Sequence, residues 1–307
     1  MINVKNKPSI KERNHIIRGA SDYFIESICI IFIGIFALCC LMPFVYVFFT
    51  SFTPYTEYLE NPIKIIPSHF TLQAYKQIWG YELFRSGYSV SVFITIIGTI
   101  LSVFLLTISA YPLSKPWLRG RKIVMSMILF TMFFNGGMIP NYILIKNLRL
   151  HNTIWALILP GCISAFNLIL MKNFIKITVP ESLEEAAKVD GANDLRILFT
   201  IVIPILKPAI ATMTIFSAVQ YWNSYYSSML YISSRKLWPL ALVLRELVVE
   251  DTTGVSPVTQ MLTSSARSHP FTLKMAAIVI TLLPILVVYP FMQRYFVKGI
   301  SLGSVKE

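Results

Sequence analysis

Charged side chains are scarce in this sequence. Asp, Glu, Lys and Arg make up 14% of its 307 residues, whereas a soluble domain carries about a quarter. The charges that are present lie between long apolar runs, and 55% of all residues are hydrophobic. This distribution excludes an ordinary soluble domain and is typical of a chain that crosses a membrane several times.

The sequence also lacks the patterns that nucleotide or metal binding requires. No Gly-Lys dipeptide occurs, so there is no phosphate-binding loop of the GxxxxGK(S/T) type. The cysteines lie in apolar stretches, and the histidines lie outside them without metal-ligand spacing. We expect no structural disulfide, no metal and no cofactor in this chain, so its energy source must be another protein. The residues concerned are Cys29, Cys39, Cys40, Cys162, His15, His69, His151 and His269.

The formal net charge of +12 is the one feature that suggests nucleic acid binding. The Lys and Arg residues, however, form no continuous stripe. They lie at the ends of apolar segments, where the positive-inside rule and anionic lipid account for them. We therefore expect contact with membrane lipid and none with nucleic acid.

Six apolar segments are long enough to cross a bilayer, which needs about 20 residues per helix. The first is longer than the apolar region of a cleaved signal peptide, about 7–15 residues, so we interpret it as an uncleaved span. The sequence predicts an all-α membrane protein with six transmembrane helices. They cover approximately Phe24–Phe49, Tyr88–Leu113, Ile123–Ile145, Ile154–Met171, Ile201–Tyr231 and Leu273–Phe291.

Basic residues near the span ends predict the orientation. Four basic segments are expected in the cytoplasm: the N-terminal arm, Lys115–Lys122, Lys172–Lys188 and the tail after Arg294. With six spans in the cell membrane, both termini are then cytoplasmic, and the longer loops lie outside. The chain divides into a cytoplasmic arm (1–22), a six-span domain (23–297) and a cytoplasmic tail (298–307).

Asp, Glu, Lys and Arg are absent from spans two, three and four between their ends. Proton-coupled carriers bury such groups as relays, so their absence argues against a proton symporter. A sodium site built from backbone carbonyls is still compatible, but a carrier should show duplicated halves, and we find no duplication. A membrane enzyme is disfavoured because the clustered acids Glu184, Glu185 and Asp190 have no accompanying His.

The segment 178–200, between spans four and five, is the most informative cytoplasmic stretch. Thr178 or a neighbour can cap a short helix, with Pro180 near its first turn, and Gly191 can adopt the positive φ that ends it. A second helical segment is expected from Asn193 into the next span. Small and apolar residues on one side suit docking into a groove of another protein. They suit a connector lying on lipid equally well.

This segment resembles the EAA signature of binding-protein-dependent ATP-binding-cassette (ABC) importers. The chain as a whole resembles type I importer permeases of the carbohydrate uptake family, in particular the second permease of maltose transporters. The matching residues are Glu185-Ala186-Ala187, Asp190-Gly191-Ala192, Phe199, Ile203-Pro204 and Pro208.

The resemblance implies that this element is a coupling helix, which docks in a cleft of a cytoplasmic ATPase. Glu185 would pair with a basic residue there, Ala186 and Ala187 would pack closely, and Gly191 would form the turn. The implied partners are a second, related permease, an ATPase dimer that holds ATP and Mg, and an extracytoplasmic solute-binding protein. The tail 298–306 is similar to the family's ending, which reaches into the ATPase dimer. The predicted docking set is Glu184, Glu185, Ala186, Ala187, Asp190, Gly191 and Ala192.

Another stretch is similar to permeases for aldouronates and other polysaccharide fragments. It comprises Phe134-Asn135-Gly136-Gly137-Met138-Ile139-Pro140, Asn152-Thr153-Ile154-Trp155 and Leu159-Pro160. The resemblance implies an oligosaccharide or polysaccharide fragment as the solute. A peptide or amino-acid importer shares the EAA loop and is the alternative.

Polar and aromatic groups within the spans are candidates for the solute path. Interruptions are tolerated where they face protein or a water-filled cavity, and aromatic faces beside amides suit sugar rings. An interfacial aromatic belt or close helix packing explains the same residues without a ligand. The candidates are Asn135, Gly136, Gly137, Asn141, Asn167, Gln220, Tyr221, Trp222, Asn223 and Tyr225.

Overall fold

Helices account for all the regular structure in the computed structural model, which describes residues 20–62, 64–249 and 270–304. This confirms the predicted all-α class. The N-terminal arm up to residue 19 lies outside the described residues, as do residues 250–269 and 305–307.

The helices follow one another with short connections. In chain order they are α1 (Ala20–Thr50), α2 (Tyr55–Glu60), α3 (Gln73–Gly80), α4 (Glu82–Ser114), α5 (Arg121–Phe133), α6 (Met138–Asn147), α7 (Trp155–Ile158, extended by a 3₁₀ turn Leu159–Gly161), α8 (Ala165–Thr178), α9 (Glu181–Val189), α10 (Asp194–Ile197), a π-helical turn (Leu198–Val202), α11 (Ile203–Ile205), α12 (Lys207–Trp222), α13 (Tyr225–Tyr231), a 3₁₀ turn (Arg235–Leu237), α14 (Leu240–Val249) and α15 (Pro270–Ser304).

Within the described part of the chain, three helices are long and apolar enough to cross a membrane without interruption: α1, α4 and α15. They contain the predicted spans one, two and six. The backbone of α15 continues to Ser304, so no break separates the predicted tail from the last span. The side chains after Pro290 are outside the described set, and the tail contact with the ATPase therefore stays a prediction.

The other three predicted spans are bent pairs of helices. α5 and α6 meet at 117°, the α7 and α8 segments at 49°, and the segment Asp194–Ile205 meets α12 at 83°. The interruption expected in the third span at Asn135-Gly136-Gly137 is confirmed, and Gly137, with φ +88°, lies at the break. The bends in the fourth and fifth spans were not predicted. The fifth span bends at Leu206, next to Pro208, whose nitrogen cannot donate a backbone hydrogen bond.

α4 is the centre of the bundle. It packs along its length against α8, α12 and α14. At one end, buried side chains of α4, α8 and the segment after α9 form the largest apolar cluster. In a membrane such a cluster is stabilised by close packing and not by removal from water. Its members include Leu106, Ala110, Met171, Ile175, Ile197, Val202 and Met213.

The first span, α1, is the least buried of the long helices within the described part of the chain. α1 packs against α15, yet 0% of its most apolar window is buried within the chain. Its apolar surface must therefore be covered by lipid or by another membrane protein.

A buried tyrosine holds α4, α7 and α12 together. The Tyr221 hydroxyl donates to the Ile158 carbonyl at 3.0 Å and lies 3.0 Å from the Ser102 hydroxyl. Gly98 makes room for the ring, because a Cβ at this position would lie 2.7 Å from it. The close approach of α4 and α12 therefore depends on a glycine.

We predict that Gly98→Ala destabilises the protein by about 1–3 kcal/mol, as overpacking of a filled site does. The ring cannot retreat without losing the hydrogen bond to Ile158. The measurement is thermal unfolding of the purified protein in detergent. Gly34→Ala is the matched control, since a Cβ there meets nothing within 4 Å. Equal melting temperatures for the two variants would contradict this packing.

Candidate functional site

The predicted coupling helix is α9. Pro180 holds the N-cap position with φ −63° and ψ 132°, and no side chain caps the helix. Thr178 is the last residue of α8, so the expected threonine cap is wrong. The expected glycine turn is confirmed: Gly191 has φ +80°, and the backbone N–H of Ala192 donates to the Ala187 carbonyl at 2.9 Å.

α9 exposes one continuous face. Ser182, Glu185, Ala186 and Val189 are all exposed, and their spacing of three and four residues places them on one side of the helix. Val189 is 88% exposed, which is unusual for a valine. No other part of the described chain covers this face, which presents a carboxylate, an alanine and a valine. It is therefore available to another protein.

The opposite side of α9 faces the chain itself. Glu184 is 5% exposed, and its carboxylate forms an ion pair with the ammonium group of Lys115. The Tyr111 hydroxyl donates to the other carboxylate oxygen at 3.4 Å. Glu184 was predicted in the docking set, but its carboxylate points back to the end of α4, because a buried charge needs a partner. In this conformation the Glu184 carboxylate is thus turned away from the exposed face of α9.

A second, weaker contact supports α9 from the same side. The Lys188 ammonium lies 5.0 Å from the centre of the Trp117 ring and 3.3 Å from the Asp194 carboxylate.

Asn193 caps α10 by accepting from the Arg196 backbone N–H, which confirms the helical segment expected there. Of the remaining predicted docking residues, Asp190 is exposed, whereas Ala187 and Ala192 are half-buried.

The break in the third span is a polar turn. The Asn135 side-chain oxygen accepts from the backbone N–H of Gly137 at 3.0 Å and from the Asn141 amide at 3.3 Å. Asn135, Gly136, Gly137 and Asn141 are all exposed. The structure thus brings these predicted residues together in one exposed turn between α5 and α6.

A polar pocket of about 280 Å³ lies where α12 meets the α7 segment. The Gln220 amide donates to the Gly161 carbonyl at 3.3 Å, and the Asn223 amide donates to the Val219 carbonyl at 2.9 Å. Both residues are exposed and present their remaining amide groups at the surface. The pocket is lined by uncharged residues that include Pro160, Gly161, Gln220, Asn223, Ser224 and Tyr226.

Three predicted path residues are buried instead. Tyr221 is 2% exposed and Trp222 7% exposed, and both pack in the core; Tyr221 also contributes to the wall of the polar pocket, and Trp222 to that of a separate apolar pocket. Asn167 is 9% exposed, near the start of α8. Both aromatic rings are more than nine-tenths buried in this conformation, and helix packing accounts for their positions. Tyr225 is exposed but lies outside the residues that line the pocket.

Some residues of both sites were not expected from the sequence. The run of amides and aromatics in the fifth span extends from Gln220 to Tyr226 and includes Ser224 and Tyr226, which also line the pocket, whereas Ser227 just beyond it was missed. Lys115 and Tyr111 carried no such signal, because they lie 69 and 73 positions from Glu184 in the chain. Among the described residues, no group of three or more His, Cys, Asp or Glu side chains could hold a metal.

A set of hydrogen bonds and an ion pair, all made by Glu57, joins two parts of the first predicted outer loop. Glu57 accepts from the backbone N–H groups of Ser68 and His69 and from the Lys64 ammonium at 2.9 Å. The Ser68 N–H and then Lys64 lower the pKa of Glu57 to about 2. The carboxylate stays ionised well above that pH, so these hydrogen bonds and the ion pair with Lys64 persist at neutral pH.

Comparison with known proteins gives consistent matches over most of the chain. The family described as binding-protein-dependent transport system inner membrane component matches residues 16–302. The polygalacturonan/rhamnogalacturonan transport system permease protein YtcP of Bacillus subtilis is 45% identical over 275 residues, which cover 90% of this chain and 96% of that protein. Protein LplC of the same organism is 41% identical over 278 residues, covering 90% and 93%.

A solved structure is similar in fold as well as in sequence. It is a crystal structure of a bacterial ABC transporter involved in the import of the acidic polysaccharide alginate. The similarity has a TM-score of 0.84 and 33% identity, and covers 91% of this chain and 99% of that one. These matches confirm the resemblance that the EAA segment indicates. The chain therefore belongs to the family of inner-membrane components of binding-protein-dependent transport systems, and it is a membrane-embedded permease subunit of an ABC importer, not an enzyme.

Proposed function

We propose that this permease imports an oligosaccharide or polysaccharide fragment, and that uronic-acid-containing fragments are the first solutes to test. The observation that carries the proposal is the exposed, uncharged pocket beside Gln220 and Asn223. Amides and hydroxyls beside aromatic and aliphatic side chains suit the hydroxyls and ring faces of sugars. The similarity to a polygalacturonan/rhamnogalacturonan permease and to an alginate transporter supports the acidic class.

The same proposal gives this chain the partners of its family. A second, related permease completes the solute path, and an extracytoplasmic binding protein delivers the solute to the outer loops. A cytoplasmic ATPase dimer, which holds ATP and Mg, docks on α9. The exposed face of Ser182, Glu185, Ala186 and Val189 supports this docking, because exposed apolar and charged residues on a short helix suit a groove in a partner. Both termini then lie in the cytoplasm.

The docking face makes a first prediction. Glu185→Ala combined with Gly191→Pro should leave the permease in the membrane but unable to hold the ATPase. The carboxylate is lost, and proline cannot adopt the φ of +80° that Gly191 requires. The measurement is the amount of ATPase that co-purifies with the tagged permease from its native host. Full recovery of the ATPase together with normal uptake would contradict the docking assignment.

A milder pair of variants separates docking from folding. Val189→Asp should lower recovery of the ATPase at least about tenfold, as loss of a central apolar contact does. Leu148→Asp is the control, because Leu148 is also an exposed apolar residue, at 58%, in the turn after α6. Recovery that falls equally in both variants would point to a general defect and against a docking face on α9.

The pocket makes another prediction. Gln220→Leu with Asn223→Leu should raise the KM for uptake of galacturonate oligosaccharides roughly 2–10-fold for each hydrogen bond lost to the solute, with little change in assembly. Asn173→Leu, an exposed amide outside the pocket, should leave the KM unchanged.

Uptake assays also decide between solute classes. Reconstituted importer should take up oligosaccharides only with ATP and the binding protein. Uptake of tripeptides or amino acids in place of sugars would overturn the saccharide assignment. Uptake by this chain alone, driven by a sodium gradient without ATP, would indicate a secondary carrier.

A further inference from the structure

The strongest contact between α9 and the rest of the chain is buried. In the ion pair of Lys115 and Glu184 the side chains are 8% and 7% exposed. The Lys115 ammonium also lies 4.7 Å from the centre of the Tyr111 ring, and Tyr111 donates to Glu184. Separating such a pair leaves two uncompensated charges away from water, which is far more costly than separating an exposed pair.

The residues that hold Glu184 belong to the centre of the bundle. Tyr111 is in the last turns of α4, and Lys115 follows its final residue. Along the chain, by contrast, α9 is joined to α8 by residues 179–180 and to α10 by residues 190–193. The ion pair therefore connects α9 directly to a helix that it does not adjoin in sequence.

α4 continues from this contact to the polar pocket. Ser102 lies on α4 about 20 Å from Lys115, at 1.5 Å per residue, and is hydrogen-bonded to Tyr221. Tyr221 packs over Gly98 and forms part of the pocket wall. Buried contacts thus run without interruption from α9, through α4, to the pocket.

We infer that Lys115 and Glu184 are positioning residues whose buried ion pair fixes α9 to the end of α4, so that the two helices move as one body during transport. The inference rests on the proposed docking of the ATPase on α9. The pair then transmits displacement of α9 into α4 and to the pocket wall. Coupling of this kind requires a contiguous set of packed and hydrogen-bonded groups, and these contacts supply one.

Exchanging the charges tests the inference. Lys115→Glu and Glu184→Lys each place like charges together, and should lower the amount of solute transported per ATP hydrolysed at least about tenfold. The double exchange should restore that ratio to within about threefold of the original. Lys188 and Asp194 provide the control, because they are also an ion pair of α9 but are 43% and 51% exposed. Reversing either charge there should change the ratio less than about twofold.

A covalent link provides a second test that does not depend on the stability of the single variants. The test uses a chain in which Cys29, Cys39 and Cys40 are replaced by alanine. In this background, the double substitution Lys115→Cys with Glu184→Cys removes the ion pair. It should lower the transport ratio. A short, reducible thiol cross-linker between the two positions should restore it, because it re-forms the connection. Two outcomes would overturn the inference. The cross-linked transporter could keep its low transport ratio, or its transport could return only when the cross-link is reduced. Either result would show that the two positions must separate during transport.

The outcomes are distinct from those that test docking. ATPase recovery is measured for every variant, and the inference predicts that it is retained in the charge-exchange and cross-linked proteins. Unchanged ATPase recovery with Glu185→Ala/Gly191→Pro would refute the docking proposal itself. An unchanged transport ratio in Lys115→Glu and Glu184→Lys would refute the inference alone.

Discussion

The need to satisfy every backbone hydrogen bond within the chain constrains this structure more than any other factor. In the hydrocarbon core, water is not available to pair with exposed N–H and C=O groups, so the spans must be helical. At two of the interruptions, side chains replace the missing partners. Asn135 does this for the turn between α5 and α6 by accepting from Gly137, and Ser164 does it for α8 by accepting from Asn167. The polar residues of the broken spans thus have structural reasons to be there.

Buried charged groups at the end of the bundle also need partners within the chain. Glu184 and Glu185 are neighbours on α9, yet one is buried and the other exposed. The helical repeat of about 100° per residue turns adjacent side chains to different sides. The Glu184 carboxylate can be buried because Lys115 forms an ion pair with it and Tyr111 donates a hydrogen bond to it. The Glu185 carboxylate is exposed and available to a partner. One short helix therefore has a fixed side and a docking side.

The fifth span shows how packing changes the meaning of a sequence pattern. The run from Gln220 to Tyr226 combines amides with aromatic rings, which predicts a sugar-binding surface. In the folded chain the amides are at the surface, whereas Tyr221 and Trp222 fill the core. Tyr221 is buried because Gly98 admits its ring and Ser102 and Ile158 satisfy its hydroxyl. All three partners are distant in sequence, so no local pattern reveals them.

The sequence by itself determined the membrane class, the approximate positions of six apolar segments, the EAA segment and its glycine turn at Gly191. Each of these depends on local composition, on spacing within one segment or on a backbone conformation that glycine favours. Only the tertiary structure decided which aromatic residues are core, and that Glu184 is paired with Lys115 and not exposed beside Glu185. These outcomes depend on side chains that meet across about 60–120 residues of chain, as the 69 positions between Lys115 and Glu184 and the 119 between Ser102 and Tyr221 illustrate. Hydropathy and periodicity report only on neighbours within a helix, so they carry no information about such pairs.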